Sequence, residues 1–474
     1  MTRQSQRPIW GLVSFLFVIT LLCPARAQGG DAALNEVRRA DKASRGANGK
    51  LASMPAADHM RRASVYMFNR VFAGAREHWQ ALINDYPNDP SVPGALFGMA
   101  RSYFQERRYE DAYQTYERLA RQYPQTREGR EGLNFAGSSL LRMSRSLEAA
   151  DRYREYIAKY PDGERIDTAH LNVIDCYREA GRTAEAIDWV NRTRQRFAGT
   201  PTDTNAIFAL LRLELANNDW DRALQTADEL LSKPFTKGVS TTPDEIQYLK
   251  AYCLDRAGRQ RDAIRAYLSI PANFDSYYGW LATQKLASMS DAEAGQQVAT
   301  RTQHARDQIT TSAGDFPAPY RLQILEGTRT RALDPRLVLA VMREESRFKP
   351  QARSPSAARG LLQLTIDAAE RYAQRAGITH LNEESLYQPS VSIAIGCEYL
   401  SQLSRMFANL PEAVAASYNG GEDNVARWLV RSKQRDAGVF TADIGFTESK
   451  NYVFKVMANY HAYQQLYTAD LKRR

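Results

Sequence analysis

The stretch "RRYEDAYQTYERLARQYP", residues 107–124, fixes the architecture of the first half of the chain. Tyr109, Ala112, Tyr116, Leu119 and Tyr123 fall three and four residues apart, the spacing of one helix face, and Pro124 forbids continuation. The pattern recurs. Tyr86-Pro87, Tyr123-Pro124 and Tyr160-Pro161 lie 37 residues apart, with Phe197 one period further. Ala75, Ala112, Ala149, Ala186 and Ala223 keep the same spacing. A period of this size predicts stacked helix pairs, each burying its apolar face on the next. The alanine lets two helices approach, the aromatic fills the groove to the following pair, and the proline ends the helix.

The pattern resembles tetratricopeptide repeats. It predicts an α-solenoid over residues 61–270, fading through "GRQRDAIRAY" at 258–267. These alanines and aromatics are expected in the core and are assigned no chemistry. Residues 28–60, rich in Gly, Ala and charge, read as a flexible lead-in. A helical linker region is expected over 271–320, opening on the aromatic "FDSYYGWLATQKLA" and closing at "GDFPAPY".

Composition is that of a globular chain, 43% hydrophobic and 25% charged. The N-terminus has a secretory pattern: Arg3 and Arg7, an apolar run from Ile9 to Leu22, and the small-residue site "ARA" at 25–27. Cleavage after Ala27, export to the periplasm and no integral membrane span thereafter are expected. Loss of Arg3, Arg7 and Arg26 lowers the net charge from +9 to +6, which still favours an anionic partner. No basic-aromatic motif points to nucleic acid. Cys176, Cys253 and Cys397 are far apart in apolar contexts and read as core thiols. The six histidines have no metal-ligand spacing, so neither metal nor cofactor is expected.

Residues 321–474 carry the chemistry. Asp334-Pro335 is a helix start, a capping Asp before Pro. The run Leu337–Met342 is apolar on all sides and predicts a central helix. Glu344 and Glu345 follow directly, so at least one carboxyl borders an apolar wall, which raises its pKa and suits it to donate a proton. Helix phase does not choose between them, and adjacent residues do not face each other, so a carboxylate dyad is not expected. "SPSAARGLLQLT", 354–365, reads as a turn, a Gly and an apolar helix carrying Gln363. "PEAVAASYNGG", 411–421, reads as a helix ending on glycine, and "FTESKNYV", 446–453, places Glu448 at a helix start.

Taken in order, "REESRF", "SPSAARGLLQL", "ASYNGG" with "VARWL", and "FTESKNYV" resemble the catalytic domain of soluble lytic murein transglycosylases. The resemblance implies an all-α chain, a tetratricopeptide-like solenoid followed by a goose-lysozyme-like, mainly helical domain. It implies that Glu345 is the single catalytic acid and base, with Ser346, Gln363, Tyr418, Asn419, Glu448 and Tyr452 lining the substrate cleft. Within that set Tyr418 is expected to touch the acid, and Ser346 to support the sugar's N-acetyl region. Several positions depart from the family: Ala357, Leu362, Thr365-Ile366 and Gly421-Glu422-Asp423. Leu362 keeps an apolar wall, whereas Glu422 and Asp423 are expected to add negative charge beside the cleft. The repeat is also more regular than the superhelix of the long family members, which leaves the arrangement of solenoid around catalytic domain open.

The implied reaction is non-hydrolytic cleavage of the β-1,4 bond between N-acetylmuramic acid and N-acetylglucosamine in peptidoglycan strands, leaving 1,6-anhydro ends. Two other readings compete. One is a scaffold whose repeats hold a periplasmic protein partner and whose last domain only binds glycan. The other is a hydrolytic lysozyme.

Overall fold

The computed structural model describes residues 30–474 apart from residues 48 and 409. The secretory segment and its cleavage site lie outside the described residues. Within them there are twenty-three α-helices, two short 3-10 turns and no β-strand. No helix among the described residues is long and apolar enough to cross a membrane.

Helix pairs from Ala56–Phe68 with Phe72–Asp85 through Pro243–Arg256 with Gln260–Leu268 build the solenoid. The five register alanines are all fully buried. The register aromatics Tyr86, Tyr123, Tyr160 and Phe197 each cap the second helix of their pair. The Tyr160 hydroxyl also donates to the Pro124 carbonyl one repeat earlier, at 3.1 Å. Ring and proline therefore do two things: they end one helix and fasten it to the preceding pair.

A second 37-residue register lies at the tight turn inside each pair. Arg70, Arg107, Ser144, Gly181 and Asn218 all have positive φ, between 59° and 69°. Only Gly and Asn suit that left-handed region, so Arg70, Arg107 and Ser144 are strained positions. The turns share one edge of the solenoid, and that edge meets the last domain. Arg70 makes a two-pronged ion pair with Asp367, and Arg107 another with Glu422. Further along, Glu179 pairs with Arg427 at 2.8 Å, and Asn218 accepts from the Gln434 amide at 3.0 Å. Beside these, Asp443 is buried among Arg178, Arg212 and Arg431, at 2.9, 3.4 and 3.1 Å. Lys450, also buried, reaches Glu245 at 3.0 Å. The solenoid thus curls along the last domain for its whole length, which answers how a regular repeat is arranged around it.

The expected flexible lead-in instead holds a helix, Asp31–Ser44, with Leu34 and Val37 buried. Its acidic first residue explains the ordering. Asp31 accepts from Arg359, a fully buried side chain, and from the Tyr387 hydroxyl at 2.7 Å. At the other end Asp41 accepts from Arg62, Tyr66 and His78. Composition alone reads as disorder here because these partners are distant in sequence.

In the last domain the Pro335–Ser346 helix begins under the Asp334 cap, which accepts the Arg336 backbone N–H at 2.9 Å. Leu337 through Met342 are all buried, most of them completely. Its main neighbour is the long helix Thr447–Leu466. The segment 352–365 differs from expectation: it is a looped turn, and helix resumes only at Ile366. Arg359 and Leu364 exchange backbone hydrogen bonds, while Gly360 (φ 77°) and Gln363 (φ 46°) sit in the left-handed region. A Cβ on Gly360 would lie 1.9 Å from the Leu386 carbonyl oxygen, so only glycine fits. Cys176, Cys253 and Cys397 are buried free thiols.

Candidate active site

The site lies where the Pro335–Ser346 helix ends against the looped turn 352–365. Arg347 and Phe348 follow it with positive φ, turning the chain sharply at the helix end. Glu345 is half-buried there: it keeps one solvent-facing edge while protein surrounds its carboxyl. Burial pushes that carboxyl up from 4.5 to about 8, with Glu344 and Glu448 adding like charge. A helix C-terminus acts in the same direction, since its dipole disfavours an anion. One donor opposes the shift. The Tyr452 hydroxyl bonds Glu345 Oε1 at 2.7 Å.

The two neighbouring glutamates are separated by their environments. Glu344 pairs with Lys455 at 2.8 Å and faces a different cavity, of about 350 Å³, lined by Phe274, Asp315, Phe316 and Asn459.

The other expected cleft residues are distributed as follows. Tyr418 does not hydrogen-bond the acid. Its hydroxyl donates to the Leu362 carbonyl at 2.7 Å, and the ring packs on Tyr399, which stacks on Tyr372. The tyrosine that hydrogen-bonds Glu345 is Tyr452, while Tyr418 lies close enough for the Glu345 charge to raise its pKa. Ser346 is buried, and its hydroxyl bonds the Leu361 carbonyl at 2.7 Å, tying helix to loop. Gln363 spends its amide N–H groups on the carbonyls of Ala352 and Gly360. Asn419 is exposed, and its side-chain oxygen accepts from Ser449 at 2.6 Å. Glu448 is exposed at the start of the Thr447–Leu466 helix. Leu362 is fully buried, its side chain filling the space a Cβ on Gly396 would need.

Gln363, Tyr418 and Asn419 line a cavity of about 310 Å³ whose opposite wall belongs to the solenoid. Sequence reading did not foresee that wall. It also offsets part of the expected negative charge: Arg107 clamps Glu422 at 2.6 Å and reaches Asp423 at 3.1 Å. Burial alone would raise Glu422, yet Arg107 more than offsets it and holds the carboxyl below its usual range. Nothing local in residues 421–423 signals a partner some 315 positions earlier. Among the described residues no group of His, Cys, Asp and Glu could hold a metal ion.

Comparison with known proteins gives two family matches. Residues 323–440 match the transglycosylase SLT domain. Residues 60–126, 136–201 and 208–277 match a tetratricopeptide repeat. The soluble lytic murein transglycosylase of Salmonella typhimurium is 33% identical over 150 residues, 31% of this chain and 23% of that protein. That of Escherichia coli K12 is 31% identical over 157 residues, 33% of this chain and 24% of that protein. The chain thus spans about a quarter of the length of these curated relatives. Among solved structures, the lytic transglycosylase Slt of Pseudomonas aeruginosa superposes with a TM-score of 0.49 at 17% identity, covering 92% of this chain and 85% of that one. The chain therefore joins a tetratricopeptide-repeat array to a transglycosylase SLT domain.

Proposed function

We propose that this chain is a peptidoglycan lytic transglycosylase of the periplasm, with Glu345 as its only acid and base. The observation that supports the reading is the Glu345 carboxyl at the helix end, pushed up to about 8 by burial and contacted by Tyr452. Glycosidases ordinarily use two carboxyl groups flanking the bond. Here Glu344 is engaged by Lys455 in another cavity, which favours a one-carboxyl route.

In that route Glu345 gives its proton to the glycosidic oxygen, and the bond from the muramic acid anomeric carbon to that oxygen breaks. The substrate's own N-acetyl oxygen covers the positive carbon. Glu345, now an anion steadied by the Tyr452 hydroxyl, takes the proton of the C6 hydroxyl. The C6 oxygen then bonds the anomeric carbon and closes the 1,6-anhydro ring. Protons balance, no water enters the products, and the acid is regenerated. Ser346 and Gln363 act by shaping the loop beside the acid, while Asn419, Glu448 and the Tyr418 ring line the strand's path.

The test is mass spectrometry of sacculi digested by the parent protein and by Glu345→Gln. The parent should release 1,6-anhydromuropeptides and the variant none, with glycan binding retained. Reducing ends from the parent would instead favour a lysozyme. Undiminished digestion by Glu345→Gln would remove that residue from the chemistry.

A further inference from the structure

The turn 359–364 is held from two sides. On the inner side it fixes the surroundings of Glu345. The Leu361 carbonyl accepts the Ser346 hydroxyl at 2.7 Å, one residue from the acid, and the Leu362 carbonyl accepts the Tyr418 hydroxyl at 2.7 Å. Arg359 and Leu364 close the turn with paired backbone bonds of 2.9 and 3.0 Å. On the outer side the Arg359 side chain leaves the turn and is held by residues near the start of the chain.

That side chain is fully buried, and most of what surrounds it is neutral. It donates to the Ala357 carbonyl at 2.6 Å and to the Asn69 amide oxygen at 3.4 Å. Its ion-pair carboxylate is Asp31, the first residue of the Asp31–Ser44 helix, 3.1 Å from Nε. The Tyr387 hydroxyl steadies Asp31 at 2.7 Å. Glu383 acts on Arg359 from further away and is itself paired with Arg38 at 2.7 Å. A guanidinium stays charged in proteins, and a buried charge that loses its partner is strongly disfavoured. Without the Asp31 charge, Arg359 is relieved by turning toward water. The turn must follow, because the backbone of the same residue closes it.

We propose that the Asp31–Ser44 helix is a clasp on this turn, with Asp31 and Arg359 as positioning residues that keep Leu361 and Leu362 against Ser346 and Tyr418 and so keep water from Glu345. The proposal rests on the Glu345 reading above. Neither residue bonds the acid; both act through the turn. The helix has other anchors, Arg38 to Glu383 and Asp41 to Arg62, Tyr66 and His78. Loss of the Asp31 charge therefore loosens the turn without releasing the helix.

The test follows Glu345 itself, through the pH titration of its carboxyl carbon in full-chain protein labelled with carbon-13 glutamate. The resonance missing from Glu345→Gln identifies it. Glu344, Glu448, Tyr418 and Tyr452 are the titratable groups that face Glu345. None of them is replaced, so a shift reports solvent access. Asp31→Asn should lower the midpoint by about one unit from its parent value near about 8, as water reaches the carboxyl. It should also cut kcat on soluble glycan strands about tenfold, with KM within about twofold. Asp31→Glu should restore most of both. Arg38→Gln, which breaks the helix's other link to the last domain, should move neither. Tyr387→Phe strands no charge and should shift the midpoint in the same direction by less, so the question is answered even if Asp31→Asn folds poorly. A midpoint that stays in place in folded Asp31→Asn and Tyr387→Phe overturns the clasp. An equal shift in Arg38→Gln also overturns it, because loss of docking stability alone gives that result. A lowered midpoint in Asp31→Asn when the parent makes no anhydro product supports the clasp and removes only the catalytic reading.

Discussion

Tyr452→Phe removes one oxygen and isolates the one hydrogen bond made to the proposed acid's carboxyl among the described residues. The bond is 2.7 Å long and runs to Glu345 Oε1. Its donor favours the ionised carboxyl, opposing the burial that pushes Glu345 up to about 8. A bond to a charged group contributes ~1.5–3 kcal/mol. At roughly 1.4 kcal/mol per pH unit, its loss should raise the Glu345 pKa by about one to two units. The lower end applies, because Glu345 keeps a solvent-facing edge. Proton donation requires the neutral acid, so activity in the parent should fall as pH rises through about 8. In Tyr452→Phe that fall should move about one unit higher. On the acid side the variant should be slower, because the glutamate anion formed after bond cleavage has lost its donor. The assay is the initial rate of anhydromuropeptide release between pH 5.5 and 10 at constant ionic strength, with circular dichroism bounding the folded range. A limb that stays in place or moves to lower pH, in folded protein, refutes the reasoning.

Three further outcomes follow from the same geometry. Glu344→Gln should leave both the rate near neutrality and the alkaline limb within about twofold and half a unit, since Glu344 answers to Lys455; a tenfold loss would restore a two-carboxyl mechanism. Glu345→Gln should stabilise the fold at alkaline pH. With the folded pKa raised from 4.5 to about 8, the native state holds the extra proton between those values, so parent stability declines as pH rises across that window. Unfolding free energies should therefore coincide near pH 4 and diverge by pH 9 in the variant's favour, by up to about 5 kcal/mol; divergence at low pH instead would reverse the sign. Asp443→Ala should cost about 3–5 kcal/mol in urea unfolding, because it leaves the buried guanidinium groups of Arg178, Arg212 and Arg431 to share only Asp175 and Glu179.

What could be read from the chain was what is local and repeated. Ala112 and Tyr123 announce their roles because four other alanines and three other rings keep the same registers. The Asp334 cap and the apolar run behind Glu345 are likewise legible within a dozen residues. Choosing between Tyr418 and Tyr452 as the acid's partner is different, because it depends on how two separate helices are rotated, which spacing does not encode. Residues 361–365 misled for a related reason. Leu361, Leu362 and Leu364 look like helix core and are indeed buried, but Gly360 and the left-handed Gln363 route them through a turn. The left-handed turns at 70, 107 and 144 were hidden because Arg and Ser do not advertise positive φ. Their strain is held in part by the ion pairs Arg70 and Arg107 make across the interface, with partners about 300 residues away. Asp31 and Arg359 stand 328 positions apart, beyond the reach of any pattern.

Stacks of helical repeats with free ends ordinarily fray inward, one pair at a time, because each unit leans only on its neighbours. This one has few such loose ends among its described helices. The first is pinned through Asp31 to Arg359, and the later pairs through Glu245 to Lys450. Melting one pair must therefore tear a contact with the SLT domain as well. The array should lose its piecemeal character and open all or none with that domain, so that amide exchange in the outermost pairs is as slow as in the middle.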